Sequence, residues 1–183
     1  LAARVSGDSG VAYAWAYCQA LEQMTATVVP RRAAHLRALA LELERIANHL
    51  GELGALGNDA GFAFGLAQFS RLKEGLLRAT EQALGRRYLL DFVVPGGTHH
   101  DLAPSGTAAL DGCAVQLATE ATVLRGIYEE HTGLRDRFAD AGTVLPELAN
   151  WLGLVGLAGR ASGQSLDLRL DASCAPYDEL NVL

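Results

Sequence analysis

Apolar residues recur every three to four positions along most of the chain, and the longest such run follows Pro30. This is the i, i+3, i+4, i+7 spacing of a half-buried helix. The apolar positions of the run are Leu36, Leu39, Ala40, Leu43, Ile46, Ala47, Leu50 and Leu53. Pro30, which has no N–H group, suits the first position of such a helix. The pattern therefore predicts a long helix that begins at Pro30.

Small and polar residues then predict the end of this helix. They are Gly54, Gly57, Asn58, Asp59 and Gly61, and residues of these types favour turns. A second helix is predicted from about Phe62 to Gly85, where glycine acts as the stop. Its inward-facing residues are predicted to be Phe62, Leu66, Phe69, Leu72 and Leu76. The two helices would thus be joined by a polar loop that contains Asp59.

Two further helices are predicted on either side of this pair. The first runs over residues 10–25, with Ser9 as its cap. Its inward side chains are predicted to be Val11, Trp15, Cys18, Leu21 and Met24. The second begins at Ser105 or Thr107 and ends near Phe138. Its inward side chains are predicted to be Leu110, Ala114, Leu117, Ala121, Leu124, Tyr128 and Leu134.

The remaining segments read as turns and short elements. Pro95-Gly96-Gly97 predicts a turn, and a short helix is predicted over residues 143–151, with Pro146 in its first turn. Residues 154–177 contain too many glycines for a stable helix. The sequence therefore predicts a mainly helical bundle with irregular glycine-rich loops.

Length and charge narrow the function classes. The 183 residues fit a single domain, residues 1–183, with enough apolar content for a buried core. The chain contains neither an apolar run of the roughly 18–20 residues of a membrane span nor a signal-peptide pattern, so a soluble intracellular body is expected. The net charge of −6 argues against nucleic acid as a partner.

Few residues stand out as candidate chemistry. The three cysteines, Cys18, Cys113 and Cys174, lie far apart and form no metal-ligand spacing, so no metal site is expected. Glu42 and His49 fall at the seam between the apolar and polar faces of the long helix, where an environment can shift a pKa towards neutrality. Arg160, Asp167 and Arg169 are spaced either for structural ion pairs or for a ligand-facing loop.

Four stretches in a fixed order carry a resemblance. They are Pro30-Arg31-Arg32, residues 42–62, Pro95-Gly96-Gly97 with Asp101-Leu102, and Arg160-Ala161-Ser162-Gly163 with Asp167 and Arg169. In order and spacing they resemble the large subunit of nickel–iron hydrogenases of the formate-hydrogenlyase type. They also resemble the quinone-site subunit of NADH:quinone oxidoreductase, a relative of that subunit. The likeness runs from about Val5 to Tyr177 and covers the middle of the family's subunit, so the chain is expected to be a central fragment of it.

The chain departs from the hydrogenase pattern in one loop. There the hydrogenases have R-x-C-G-x-C, whose two thiolates hold nickel and iron, whereas this chain has Ser6 and Ser9 in the place of both cysteines. Tyr13 stands where a histidine is usual, and Gly7 lies nearest the tyrosine of the quinone-site subunits. A serine hydroxyl is a hard, neutral oxygen, whereas soft metal centres select thiolates. The resemblance therefore implies a subunit without the nickel–iron site.

The resemblance also implies a function and a site. The protein would be a subunit of a membrane-associated redox complex and would bind no cofactor directly except, as a candidate, a quinone. Its partners would be an iron–sulfur-cluster subunit and a membrane arm, and it would lie in the cytoplasm, peripheral on the inner face of the membrane. The alternative is a degenerate paralogue that serves as a scaffold or assembly partner without redox chemistry.

The expected site residues follow from the same resemblance. The vacated cavity would be lined by Ser6, Asp8, Ser9, Tyr13, Glu42, His49 and Asp59. Structural ion pairs would involve Arg45, Arg160, Asp167 and Arg169.

Overall fold

The computed structural model describes residues 1–171 and 174–180. The chain divides into two compact units, Leu1–Arg135 and Asp136–Leu183. In its described part, no helix is long and apolar enough to cross a bilayer.

Eight α-helices and one two-stranded hairpin make up the regular structure of the described residues. After a 3-10 turn at Ala2–Arg4, the elements are α1 (Gly10–Thr25), α2 (Arg31–Asp59), α3 (Ala63–Leu84), β1 (Val93–Val94), β2 (Gly97–Thr98), α4 (Pro104–Glu130), α5 (Thr132–Phe138), α6 (Pro146–Leu152), α7 (Gly156–Ala161) and α8 (Leu168–Asp171). The prediction of a mainly helical fold is confirmed. The expectation of no helix in the glycine-rich tail is wrong for α7 and α8.

Helix α2 does not end at the glycines. It continues through Gly54 and Gly57 to Asp59, so the predicted polar loop is wrong and Asp59 is the last helical residue. A Cβ on Gly54 would stand 3.3 Å from Phe69 Cβ, and one on Gly57 would collide with the Tyr128 hydroxyl. These glycines therefore permit close packing, and only Ala60 to Phe62 form the turn.

Helices α2 and α3 form an antiparallel hairpin, and α4 packs against α3. The predicted core positions of α2 and α3 that the structure buries are Leu36, Ala40, Leu43, Ala47, Leu50, Phe69, Leu72 and Leu76. Ile46, Leu53 and Leu66 are 36–40% exposed, so their inward assignment is wrong. Helical periodicity identifies every apolar residue on one face of a helix, but the neighbouring helices of this chain cover only part of that face.

The helix bounds differ from prediction in other places as well. Gly85, with φ +75°, ends α3 at the predicted stop. The long helix predicted to reach Phe138 is broken at His131, where ψ of 105° leaves the helical region. On α4, Ala114 is exposed rather than inward, and on α1 Met24 is 83% exposed. The short helix α6 starts at Pro146, not at residue 143.

A buried ion pair between Glu22 of α1 and Arg37 of α2 attaches the β1–β2 hairpin to these two helices. Arg37 and Glu22 are only 2% and 7% exposed, and Arg37 Nη2 donates to Glu22 Oε1 at 2.6 Å. The same oxygen accepts from Gly96 N at 2.7 Å, and Arg37 also donates to Val94 O and Gly97 O at 2.8 and 3.1 Å. The backbone at Gly96, with φ +80°, favours glycine. The Pro95-Gly96-Gly97 turn is thus fixed by charge-assisted hydrogen bonds.

Candidate functional site

The first unit contains a cavity of about 340 Å³. It lies between the segment 3–8, helices α2 and α3, and the segment 87–90 that follows α3. Its apolar walls come from Ala3, Leu43, Ala47, Leu77, Leu89 and Leu90. About half of the lining residues carry polar or charged side chains, and apolar walls that alternate with polar groups are typical of a site for a small organic ligand.

The antiparallel pairing of α2 and α3 determines which polar residues share the cavity. Glu44 and Asn48 follow one another at i, i+4 on α2, and Lys73, Leu77 and Thr80 follow at i, i+4, i+7 on α3. Lys73 lies opposite Gly51, because a Cβ on Gly51 would stand 2.9 Å from Lys73 Nζ. Gly51 is seven residues beyond Glu44, about 10 Å along the helix. Lys73 and Glu44 therefore lie at different ends of the interface between α2 and α3.

Glu44 caps another helix. Its Oε2 accepts from Val11 N at 2.8 Å and its Oε1 from Ala12 N at 3.3 Å, so it satisfies free N–H groups at the start of α1. Ser9 occupies the cap position, but its side chain makes no cap hydrogen bond, and the predicted role of that hydroxyl is wrong. Burial raises the pKa of Glu44 above its usual range, although the α1 N–H groups oppose this shift.

Two ion pairs hold the rim of the cavity. Arg4 binds Asp91 through both of its terminal nitrogens, at 2.8 and 2.6 Å. Arg87 donates to both oxygens of Glu74, one of them at 2.8 Å. Hydrogen bonds from Arg87 and then Arg78 lower the pKa of Glu74 to about 2. Both rim arginines are therefore neutralised by partners of the same chain.

The structure brings two of the expected cavity residues to this site. Ser6 is half-buried and Asp8 is exposed, and both line the cavity. The backbone oxygen of Asp8 accepts a hydrogen bond from Asn48 Nδ2, which attaches the loop to α2. The serine-bearing loop thus forms one edge of the cavity.

The other five expected residues are not among those that line it. Ser9 is half-buried at the start of α1, and Tyr13 lies on the exposed side of that helix. His49 is exposed on α2, and Asp59 is exposed at its C-terminal end. Glu42 Oε2 lies 3.1 Å from Arg45 Nε, an ion-pair distance.

The remaining expected ion-pair residues belong to the second unit. The Asp167 carboxylate accepts from Arg169 Nη2 at 2.7 Å and also contacts Arg160. These two guanidinium groups, Arg169 first, hold the pKa of Asp167 well below its usual range. The cluster keeps the short segment between α7 and α8 in place.

Sequence reasoning missed the polar residues that α2 and α3 bring to the cavity: Glu44, Asn48, Lys73 and Thr80. A signal was present, because polar residues occur on α2 and α3 next to the apolar stripe at helical spacing. Lys73 is also the chain's single lysine. What the sequence lacks is the register that sets one helix against the other.

Metal-binding side chains do not gather in the described part of the chain. No group of three or more His, Cys, Asp or Glu lies close enough there to hold an ion. Burial raises the thiol pKa of Cys18, which is fully covered, and that of the half-buried Cys113. A raised thiol pKa disfavours the thiolate that binds metals.

The first unit is thus a mainly helical body with a cavity beside a serine-bearing loop. Comparison with known proteins gives the family. The family of the respiratory-chain NADH dehydrogenase 49 Kd subunit matches residues 59–182. The chain belongs to this family.

Individual relatives agree with this assignment. Formate hydrogenlyase subunit 5 of Escherichia coli (strain K12) is 32% identical over 177 residues, which are 97% of this chain and 31% of that protein. A subunit of the NADH-quinone oxidoreductase of Dinoroseobacter shibae is 32% identical over 167 residues, 91% of this chain and 41% of that protein. The chain therefore spans less than half the length of these two relatives.

A solved structure shares the fold. In the membrane-bound sulfane sulfur reductase, an archaeal respiratory membrane complex, one chain superimposes with a TM-score of 0.81 over 87% of this chain and 43% of its own length. The sequence identity is 22%, so this likeness supports the fold alone.

Proposed function

We propose that the protein is a subunit of a membrane-associated redox complex of the NADH:quinone oxidoreductase or energy-converting hydrogenase kind. The observation that carries the proposal is the cavity beside Ser6 and Asp8. These residues belong to the loop that resembles the metal-binding loop of the hydrogenases. Family membership supports the same conclusion independently of the cavity.

A quinone is the ligand that best fits this cavity. Its 340 Å³ lies at the lower end of the roughly 300–1,000 Å³ typical of small-ligand sites. The apolar walls would exclude water from a ring, and Asn48 and Lys73 would face its oxygens. When bound, the quinone would accept electrons from iron–sulfur clusters of a partner subunit.

A nickel–iron centre does not fit the residues present. Ser6 and Ser9 offer neutral hydroxyl oxygens where such a centre needs thiolates. Tyr13 lies on the exposed side of α1, away from the cavity lining. We therefore propose that the protein lacks this centre.

The proposed partners are an iron–sulfur-cluster subunit and a membrane arm. The protein would lie at the cytoplasmic, inner face of the membrane and be held there by that arm. The NADH-quinone oxidoreductase subunit among its relatives supports this arrangement by name.

Affinity purification of the tagged full-length protein from native membranes tests the proposal. We expect a cluster-bearing subunit and membrane subunits to co-purify, quinone reductase activity in the preparation, and nickel far below one atom per protein. Ala47→Phe, which fills the cavity from α2, should abolish quinone reduction while the complex still assembles.

Two results would contradict this function. Stoichiometric nickel would show that a metal centre is present after all. A protein that purifies without redox partners and is indifferent to quinones would favour the alternative, a scaffold without redox chemistry. The hydroxyl groups of Ser6 and Ser9, which stand where the hydrogenases have thiolates, are the observation that keeps this alternative open.

A further inference from the structure

Three cations line the cavity, and one of them, Lys73, has no counter-ion among the described residues. Lys73 lines the cavity, is half-buried, and forms no ion pair or hydrogen bond with another described residue. The other two cations there, Arg4 and Arg87, are each bound to a carboxylate. Among the cations that line the cavity, Lys73 alone has a charge that no described carboxylate neutralises.

The cavity's own carboxylates do not supply the missing partner. Glu44 is engaged by the N–H groups of α1 and lies about 10 Å along α2 from the Lys73 position. Asp8 is exposed at the rim and forms no ion pair with Lys73. An anionic ligand in the cavity would supply the counter-ion that the described residues do not.

The position of the Lys73 ammonium group depends on the fact that residue 51 is glycine and has no side chain. A Cβ on Gly51 would stand 2.9 Å from Lys73 Nζ and 3.7 Å from its Cδ. The glycine therefore leaves room for the ammonium group to lie against α2.

We propose that Lys73 makes the cavity selective for an anionic ring ligand, a flat and mostly apolar ring with one negatively charged oxygen, over its neutral isostere. This inference rests on the proposed quinone site and adds the charge preference of that site. Deprotonated hydroxyquinones and quinol anions have the required chemistry. The apolar walls would hold the ring, and the ammonium group would donate to the charged oxygen.

Two naphthoquinones of equal shape test this preference. 2-Hydroxy-3-methyl-1,4-naphthoquinone is an anion at neutral pH, and 2,3-dimethyl-1,4-naphthoquinone is its neutral counterpart; neither has a free ring position for thiol addition. Each would be titrated against the complex purified through this protein. We expect the anion to bind about tenfold more tightly, the size of effect that a charge-assisted hydrogen bond supplies.

Because Lys73 is the only lysine of this chain, its chemical modification reports whether a ligand is bound at this position. Acetylation of Lys73 by an amine-reactive ester, followed by mass spectrometry of its peptide, should slow when the anion is bound. The neutral compound should protect far less.

Variants separate the charge from the fold. Lys73→Met should remove the preference, Lys73→Arg should keep most of it, and Gly51→Ala should weaken it by displacing the ammonium group. Arg71→Met removes a charge from an exposed position of the same helix and should leave the preference unchanged.

Each outcome has a definite meaning. If both compounds bind equally, or if Lys73→Met keeps the preference, the selectivity proposal is wrong while the quinone site stands. If neither compound binds or protects Lys73, the quinone site itself is wrong, and the selectivity falls with it.

Discussion

At the scale of single residues, two glutamates of this chain show how environment decides charge. Hydrogen bonds from Arg37 lower the pKa of Glu22, and burial is the smaller, opposing effect. At Glu44 burial is the larger effect, and the pKa rises. Protonation therefore acts on stability in opposite directions at the two sites.

The Glu22–Arg37 pair predicts acid sensitivity. A carboxyl whose folded pKa is depressed stabilises the fold above its unfolded value, about 4.5, and this contribution is lost as pH falls through the folded value. Glu22→Gln should lower the free energy of unfolding at pH 7 by about 3–5 kcal/mol, because it leaves a buried guanidinium group unpaired.

Urea unfolding at pH 7 and at pH 3 measures this effect. The difference between wild type and Glu22→Gln should shrink at the lower pH, because below about 4.5 the unfolded chain takes up the proton and the advantage of the folded carboxylate falls. Glu81→Gln, at an exposed position of α3, serves as the control and should change stability by less than about 0.5 kcal/mol. An unchanged difference at both pH values would contradict the assignment.

At the scale of elements, residues distant in the sequence supply the contacts that cap a helix and let two helices pack closely. Helix α1 is capped by a side chain of α2, 33 residues away from Val11 in the chain. Helix α4 reaches α3 through Gly106, where an added Cβ would stand 2.5 Å from Ala83 Cα. In both cases the stabilising group is far away in sequence.

The cap of α1 can be tested with a pair of substitutions. Glu44→Ala should lower the free energy of unfolding by about 1–2 kcal/mol, the usual effect of losing an N-cap. Ser9→Ala should cost less than about 0.5 kcal/mol, because the hydroxyl makes no cap hydrogen bond. Chemical denaturation of both variants measures the contrast, and a larger loss for Ser9→Ala would show that the local cap dominates.

The close approach of α3 and α4 gives another matched pair. Gly106→Ala should destabilise by about 1–3 kcal/mol, since the Ala83 backbone cannot move aside without shifting a helix. Gly112→Ala on the same helix has open space around the new methyl group and should stabilise by about 0.5–1 kcal/mol. Melting temperatures provide the comparison; equal effects at both sites would exclude the packing explanation.

At the scale of the whole molecule, the chain consists of two compact units whose boundary follows Arg135. The cavity and its ion pairs lie in the first unit, and the Asp167 cluster lies in the second. Residues 139–143, just past the boundary, are exposed and carry no regular structure. This segment has the properties of a protease-sensitive connection.

Limited proteolysis should therefore cut first within residues 139–145. The N-terminal product should keep its helical circular dichroism signal, because it retains the packed helices α1 to α4. Mass spectrometry of the earliest fragments identifies the site. First cuts inside α2 or α3, or immediate loss of helical signal, would mean that the first unit is not stable on its own.

The sequence by itself determined the helical class, most of the buried positions on the α2 and α3 faces, and the stop at Gly85. Periodicity identified Leu43, Leu50 and Leu72 as core residues because a helix fixes which positions share a face. The αL stop at Gly85 was equally predictable, since it depends on one residue's backbone freedom.

Tertiary structure decided what each face meets. The glycines at positions 54 and 57 look like helix breakers in the sequence, yet they are contact points for Phe69 and Tyr128. Lys73 comes to lie at the cavity and opposite Gly51 only once α2 and α3 pair, because the periodicity of a single helix does not specify which of its turns faces which turn of its neighbour. Local energies set the elements, whereas packing between distant residues sets the site.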